Sequence, residues 1–163
     1  MLTPLSDDKL NLMRTIVENK KALFNYHILE KFRAGIILIG QEVKAIKTGK
    51  ISLINSFVVL QKEEVFLIGA NVPAYQPKNA PKDYNPQRSR KLLLQKSEIK
   101  HLIGKARQKG LTMVPLKVYT LKGKIKIEFA IAKGKKKVDK REKIKKRETE
   151  KEIRRTLKGD ERI

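Results

Sequence analysis

Between residues 124 and 131 apolar and polar positions alternate strictly, with Ile125, Ile127, Phe129 and Ile131 on one face, the period-two signature of a half-buried strand. Residues 113–119 precede it and join through Leu121, Lys122 and Gly123, so the two segments predict a hairpin that turns at the glycine. Pro115 has no amide hydrogen for a ladder and marks an edge or a bulge. A second hairpin is predicted from residues 56–60 through Lys62-Glu63-Glu64 to residues 65–68, and residues 24–39 supply further strand material, bent at Gly35.

Two stretches change period. From Ser97, a residue suited to a helix N-cap, Ile99, Leu102, Ile103 and Ala106 recur at helical spacing until Gly110. Residues 41–48 predict a second short helix with Val43 and Ile46 turned inward and Gly49 at its end. Between them, residues 73–90 carry Pro73, Pro77, Pro81 and Pro86, so that segment is an exposed loop and not a central strand. Strands in two sets, with a helix inserted between the fourth and fifth, predict a mainly β fold: a small closed antiparallel barrel of the oligonucleotide-binding type with short flanking helices.

Charge divides the chain near residue 133. Residues 133–163 hold 15 Lys and Arg against 7 Asp and Glu, an excess of eight positive charges, with only Val138, Ile144, Ile153, Leu157 and Ile163 as large apolar residues. Ile144 and Ile153 fall on opposite sides of a helical wheel, so this segment has no stripe with which to dock. It is expected to be a basic tail, disordered when free. The preceding residues form the barrel, expected over 19–132, and residues 1–18 form an N-terminal extension in which Leu10, Met13, Ile16 and Val17 suit a docking helix.

The whole chain of 163 residues carries a formal net charge of +22 and no Cys. Self-repulsion of that size is relieved by an anionic partner, and nucleic acid is the first candidate. The absence of Cys excludes disulfides and thiolate chemistry and agrees with a reducing cytoplasm. Asp7, Asp8, Lys9, Arg14 and Glu18 interrupt any apolar leader, and the longest aliphatic run, Ile36 to Ile39, is far short of the ~20 residues that span a bilayer. The tail has no aromatic residue and no apolar face, which disfavours membrane insertion.

The chain also lacks the phosphate-cradling glycine-lysine loop, the dinucleotide glycine motif and the zinc-binding His-Glu-x-x-His. No cofactor and no metal is implied. His27 and His101 are read as polar surface histidines, Asp83 as a turn former, and Glu42 as the partner of a salt bridge or a helix cap. What remains is the placement of cations. Lys44 and Lys47 share a helix face, Arg88, Arg90 and Lys91 follow the loop, and Lys133, Lys135, Lys136 and Lys137 leave the last strand. Several clusters at loop and strand ends favour phosphate contacts over a merely solvated surface. Tyr26, Tyr75 and Tyr84 could stack on bases, but aromatics are too few for a ring-lined platform, so shape and phosphates should dominate.

From Asn19 to about Arg155 the chain resembles the SsrA-binding protein (small protein B) family, the partners of tmRNA in bacterial trans-translation. The resemblance rests on Asn19-Lys20-Lys21-Ala22, Ala34-Gly35-Ile36, Gly40-Gln41-Glu42-Val43-Lys44, the run from Asn85 to Leu94, the run from Val114 to Tyr119, and the run from Ala132 to Arg141. It implies a non-catalytic, cytoplasmic bacterial protein with a barrel related to the oligonucleotide-binding fold. That barrel would hold the tRNA-like domain of tmRNA, one protein per RNA, while the tail engages the ribosome and its RNA. Such a protein helps bring alanyl-tmRNA to a ribosome stalled without a usable codon. Position by position, the resemblance implies Glu42, Lys44, Leu93 and Lys126 as RNA-surface residues and Asp139, Lys140 and Arg141 as the ribosome-engaging tail motif. Arg33 departs from the Phe-Glu-Ala-Gly usual in the family, Gln41 from Thr or Trp, and Val138 from a ring-bearing residue. The rival reading is a general structured-RNA-binding or ribosome-associated protein without selectivity for tmRNA.

Overall fold

The structure, a computed structural model, describes residues 13–160. Seven strands run β1 Met13–Glu18, β2 Tyr26–Ile36, β3 Phe57–Gln61, β4 Glu64–Ile68, β5 Arg90–Leu93, β6 Leu111–Leu121 and β7 Lys124–Gly134. Among the described residues four α-helices accompany them, α1 Lys20–Asn25, α2 Gly40–Lys47, α3 Lys96–Ala106 and α4 Lys137–Asp160, with a short 3-10 turn at Pro77–Asn79. All strand pairs are antiparallel, and the order β6-β3-β4-β5-β2-β7 closes because β7 also pairs with β6. The closed ring covers the edges of its six strands, and β1, at the end of the order, pairs on one side with β6.

Both predicted hairpins are present, and each turns in two residues with positive φ. These are Lys122 and Gly123 (φ 51 and 77) between β6 and β7, and Lys62 and Glu63 (φ 45 and 63) between β3 and β4. That conformation matches the twist of the flanking strands. Pro115 sits where the β6–β7 register shifts, at a bulge. The alternation along β7 sends Ile127, Phe129 and Ile131 into a core shared with Val58, Val65, Leu67, Leu92 and Val118. Its other face packs Ala130 and Ala132 under α1, against Ala22, Val114 and Leu116.

Asn19 explains how one strand serves three neighbours. On its far side from β7, β6 pairs with β3 at Met113 and with β1 from Lys117 onward. Asn19 is buried where those two strands part. Its backbone amide donates to Leu116 O (2.6 Å) and its side-chain amide to Pro115 O (3.0 Å), while its side-chain oxygen accepts from Ala22 N (3.2 Å) and starts α1. Ala45 and Ile46 of α2 enter the core, and Leu102 of α3 fills the seam between β3 and β6, which pair at a single position.

Two expectations are corrected. The N-terminal segment is not a docking helix in its described part: Met13, Ile16 and Val17 belong to β1, paired with β6, and Leu10 lies outside the described residues. Spacings of three and four suit a helix, but the unpaired edge of β6 supplies a ladder that outweighs local preference. Strand β7 continues through Lys133 to Gly134, past the expected end of the barrel. The tail forms the 24-residue helical segment α4, and its expected disorder when free agrees with that segment's lack of packing beyond its root. The expectation that it finds no packing partner holds, because every described side chain from Ile144 onward is exposed.

Candidate nucleic-acid interface

Strand register lays one row of residues along the outward-facing side of the barrel, in which Tyr119 is covered and Leu93 is exposed. Thr15 faces Tyr119, Tyr119 faces Lys126, Lys126 faces Gly35, and Gly35 faces Leu93. Five strands therefore bring Lys126 and Leu93, 33 residues apart in sequence, to either side of a glycine. A Cβ on Gly35 would meet Leu93 Cβ at 3.4 Å, so the missing side chain lets Leu93 lie low across β2. Leu93 is 53% exposed and is thus a surface residue, not part of the core. Together with Ile36, Leu38, Val43, Lys124 and Lys126 it lines a groove of about 360 Å³ between α2 and the sheet. Lys44 and Lys47 stand exposed on α2 beside it.

The adjacent row accounts for Arg33. Glu128, the one acidic residue between Glu98 and Asp139, is opposite Arg33 on β2 and Lys117 on β6. Its nearly buried carboxylate is 3.4 Å from Arg33 Nε, 3.9 Å from Lys117 Nζ and 4.0 Å from Lys31 Nζ. The cation that departs from the family pattern has its counter-charge directly across the sheet. Sequence reasoning missed Glu128, although its outward position in an alternating strand was a signal.

Glu42 and Arg90 are corrected from RNA-contact residues to buried structural ones, since neither side chain has any exposed surface. Glu42 Oε2 accepts from the Ile39 amide (3.2 Å), which caps α2, and from Arg88 Nη2 (2.8 Å). Its Oε1 accepts from Arg88 Nε (3.0 Å) and Arg90 Nε (3.1 Å). Arg90 also donates to the carbonyls of Ala70 (2.9 Å), Arg88 (3.0 Å) and Pro86 (2.9 Å). This network is what holds the proline-rich loop against the barrel, with Val72 N on Pro86 O (2.9 Å) and Tyr84 Oη on Val72 O (2.6 Å). Tyr84 is therefore committed to the loop, and burial pushes its pKa up. Burial also pushes the Glu42 carboxyl upward, but hydrogen bonds from Arg88, the charge of Arg90 and the Ile39 amide outweigh it, and its pKa lies below the usual range. Two guanidiniums against one carboxylate leave a net positive charge, and only Arg88, 36% exposed, carries it to the surface.

The other predicted cations separate from this face. Lys91 is paired with Glu64 at 2.7 Å. Lys133, exposed, is seven residues along β7 from Lys126, roughly 23 Å at strand rise. Lys135 donates to Leu23 O (3.4 Å) at the end of α1, its ammonium pKa lowered by burial and by Lys143. Lys136 is exposed, and its amide donates to Asp139 (3.3 Å) in the first turn of α4. Asp139 also faces His27 Nε2 at 3.5 Å, Lys140 is half-buried and Arg141 exposed. Lys143 reaches Leu23 O (3.5 Å) and lies over the Phe24 ring. His101 pairs with Glu30 at 2.8 Å and fastens α3 to β2. The two ends of β7 thus present different surfaces: an RNA-suited face around Leu93 and Lys126, and the root of the tail around Lys133 to Lys143.

The family model of SmpB protein matches residues 16–159. The chain belongs to the SmpB family. It is 47% identical over 146 residues to the SsrA-binding protein of Cupriavidus necator, covering 90% of this chain and 97% of that protein. To the SsrA-binding protein of Trichormus variabilis it is 44% identical over 152 residues, covering 93% and 98%. A chain of a solved tmRNA–SmpB structure from work on the bacterial ribosome superposes with a TM-score of 0.62 at 42% identity, covering 74% of this chain and 85% of that one. Membership in the SmpB family makes the Leu93–Lys126 face and the tail root the places to test for RNA contacts. Arg14 lies just outside the matched residues.

Proposed function

We propose that this protein binds the tRNA-like domain of tmRNA through the outer face around Leu93 and Lys126, and that it delivers alanyl-tmRNA to stalled ribosomes in trans-translation. One protein acts per RNA, without catalysis, in the bacterial cytoplasm. The observation that carries the reading is the cross-strand row. It sets an exposed leucine and a lysine on either side of a side-chain-free glycine, beside the basic helix α2, in a member of the SmpB family. An apolar side chain left on the surface of a basic face suits a sugar or a base, with the neighbouring lysines on phosphates. Among the described residues no helix is long and apolar enough to cross a membrane. Lys133, Lys135 and Lys136 extend the RNA surface toward the tail, and Asp139, Lys140 and Arg141 engage the ribosome.

Replacing Leu93 by Asp tests the site. An exposed position away from caps and networks changes stability by only about 0.5 kcal/mol, so thermal unfolding should be unchanged. Affinity for the isolated tRNA-like domain should fall at least tenfold. Retained affinity would place the RNA elsewhere, and a large drop in melting temperature would show Leu93 to be a packing residue and not a contact.

A further inference from the structure

The β6–β7 turn stands between two grooves, and Gly123 lines both. One is the groove of Leu93 and Lys126. The other, about 420 Å³, is formed by Arg14, Thr15 and Ile16 of β1, by Lys47, Thr48 and Gly49 at the end of α2, and by Thr120 of β6. Arg14 and Lys47 are exposed and neither makes an ion pair among the described residues. The surrounding charge is predominantly positive, with Glu18 at the far end of β1 the one carboxylate of that strand. Residues 43–62 and 99–127 contain no acidic residue, while Lys44, Lys47, Lys50, Lys122, Lys124 and Lys126 lie within them. The one carboxylate of α2, on Glu42, is buried and paired.

We infer that this cleft between β1 and α2 is a second RNA phosphate site, with Arg14 and Lys47 as its cations. It rests on the proposed RNA-binding reading and extends that interface around the turn to the other side. Backbone donors cannot carry it: the amides of Thr48, Gly49 and Lys50 are all given to α2 carbonyls. The end of a helix also carries partial negative charge, which disfavours an anion. Binding there depends on the two side-chain cations, with the hydroxyl of Thr120, opposite Arg14 in the ladder, as a neutral donor. An interaction made by cations alone is one that salt removes.

The test compares Arg14→Ala and Lys47→Ala with Lys109→Ala, an exposed lysine near the opposite end of β6, in full-length protein binding the tRNA-like domain across a salt series. One lost phosphate contact lowers the slope of log K against log[salt] by about 0.9, which corresponds to about eightfold weaker binding at 0.1 M salt and none near 1 M. Arg14→Ala and Lys47→Ala should each show that loss, at unchanged melting temperature, and Lys109→Ala should not. If wild-type binds and Leu93→Asp weakens it while the Arg14 and Lys47 variants match Lys109→Ala, the second site does not exist and the main interface stands. If wild-type itself fails to bind, the underlying reading fails.

Discussion

Glu42→Ala is expected to lower the melting temperature by roughly 10 °C and to take tmRNA affinity down with it, although Glu42 touches no solvent. Breaking a buried ion pair by removing one partner costs about 3–5 kcal/mol, because the other charge is left without compensation, and about 1 kcal/mol shifts a chain of this size by about 2–4 °C. Here the abandoned group is Arg90, with no exposed surface, and Arg88 loses both of its carboxylate contacts. The α2 cap at Ile39 and the loop held through Ala70 and Pro86 loosen together, and the groove between α2 and β5 loses its shape. Arg90→Lys should fall between wild type and Glu42→Ala, since an ammonium keeps the charge but cannot span Glu42, Ala70 and Pro86 at once. Acid should mimic the substitution. The folded-state pKa of Glu42 is lowered, so its stabilisation is fully present above the ordinary value of 4.5 and is lost as pH falls through the folded value. Glu42→Gln should lack this acid-dependent component in pH-resolved thermal unfolding. The contrast with Leu93→Asp is diagnostic: one variant loses fold and affinity together, the other affinity alone.

Deleting residues 138–163 is expected to abolish peptide tagging on stalled ribosomes while leaving affinity for the tRNA-like domain within about twofold, in keeping with their distance from the Leu93–Lys126 face. The cut spares Lys133, Lys135 and Lys136. Helix α4 is supported at its root by Asp139 on the Lys136 amide and by Lys143 on Leu23 O, and beyond Lys143 it packs against nothing. Glu142 with Lys146 and Glu150 with Arg154 are spaced to help, but each pair contributes only ~0.2–0.5 kcal/mol, and Arg147 with Lys151 repels by a similar amount. Against the cost of nucleation and chain entropy these leave the free helix marginal. Amide exchange in the free protein should therefore show little protection beyond Lys143, with the helix held only where ribosomal phosphates neutralise its excess charge. Normal tagging by the truncated protein, or strong protection along the free tail, would contradict this account.

How much of this was legible depended on the range of the interaction. The β6–β7 hairpin, the β3–β4 hairpin and helices α2 and α3 follow from local periodicity and turn residues, with α3 starting before Ser97 because Gln95 and Glu98 form its cap. Helix α1 was hidden because six residues capped by Asn19 are too short to show a period. Strand β1 was misread because its apolar spacing is helical and only the free edge of β6 makes it a strand. Glu42 is the salt-bridge partner and helix cap that its residue type and place suggested, whereas Arg90 looked like a surface charge because its partner lies 48 residues away and no local pattern marks a buried ion pair. Leu93 and Lys126 emerged from resemblance alone, and register then placed them on one row.

Competition between the tRNA-like domain of tmRNA and bulk tRNA for the full-length protein, at a fixed salt near 0.15 M, tests selective tmRNA binding most directly. Phosphate attraction is common to both RNAs, so any preference must come from shape and from contacts such as Leu93. tmRNA should win by at least about tenfold, and Leu93→Asp should erase most of that margin. Equal affinities for the two RNAs in the wild-type protein would contradict this and would mark the barrel as a general binder of structured RNA.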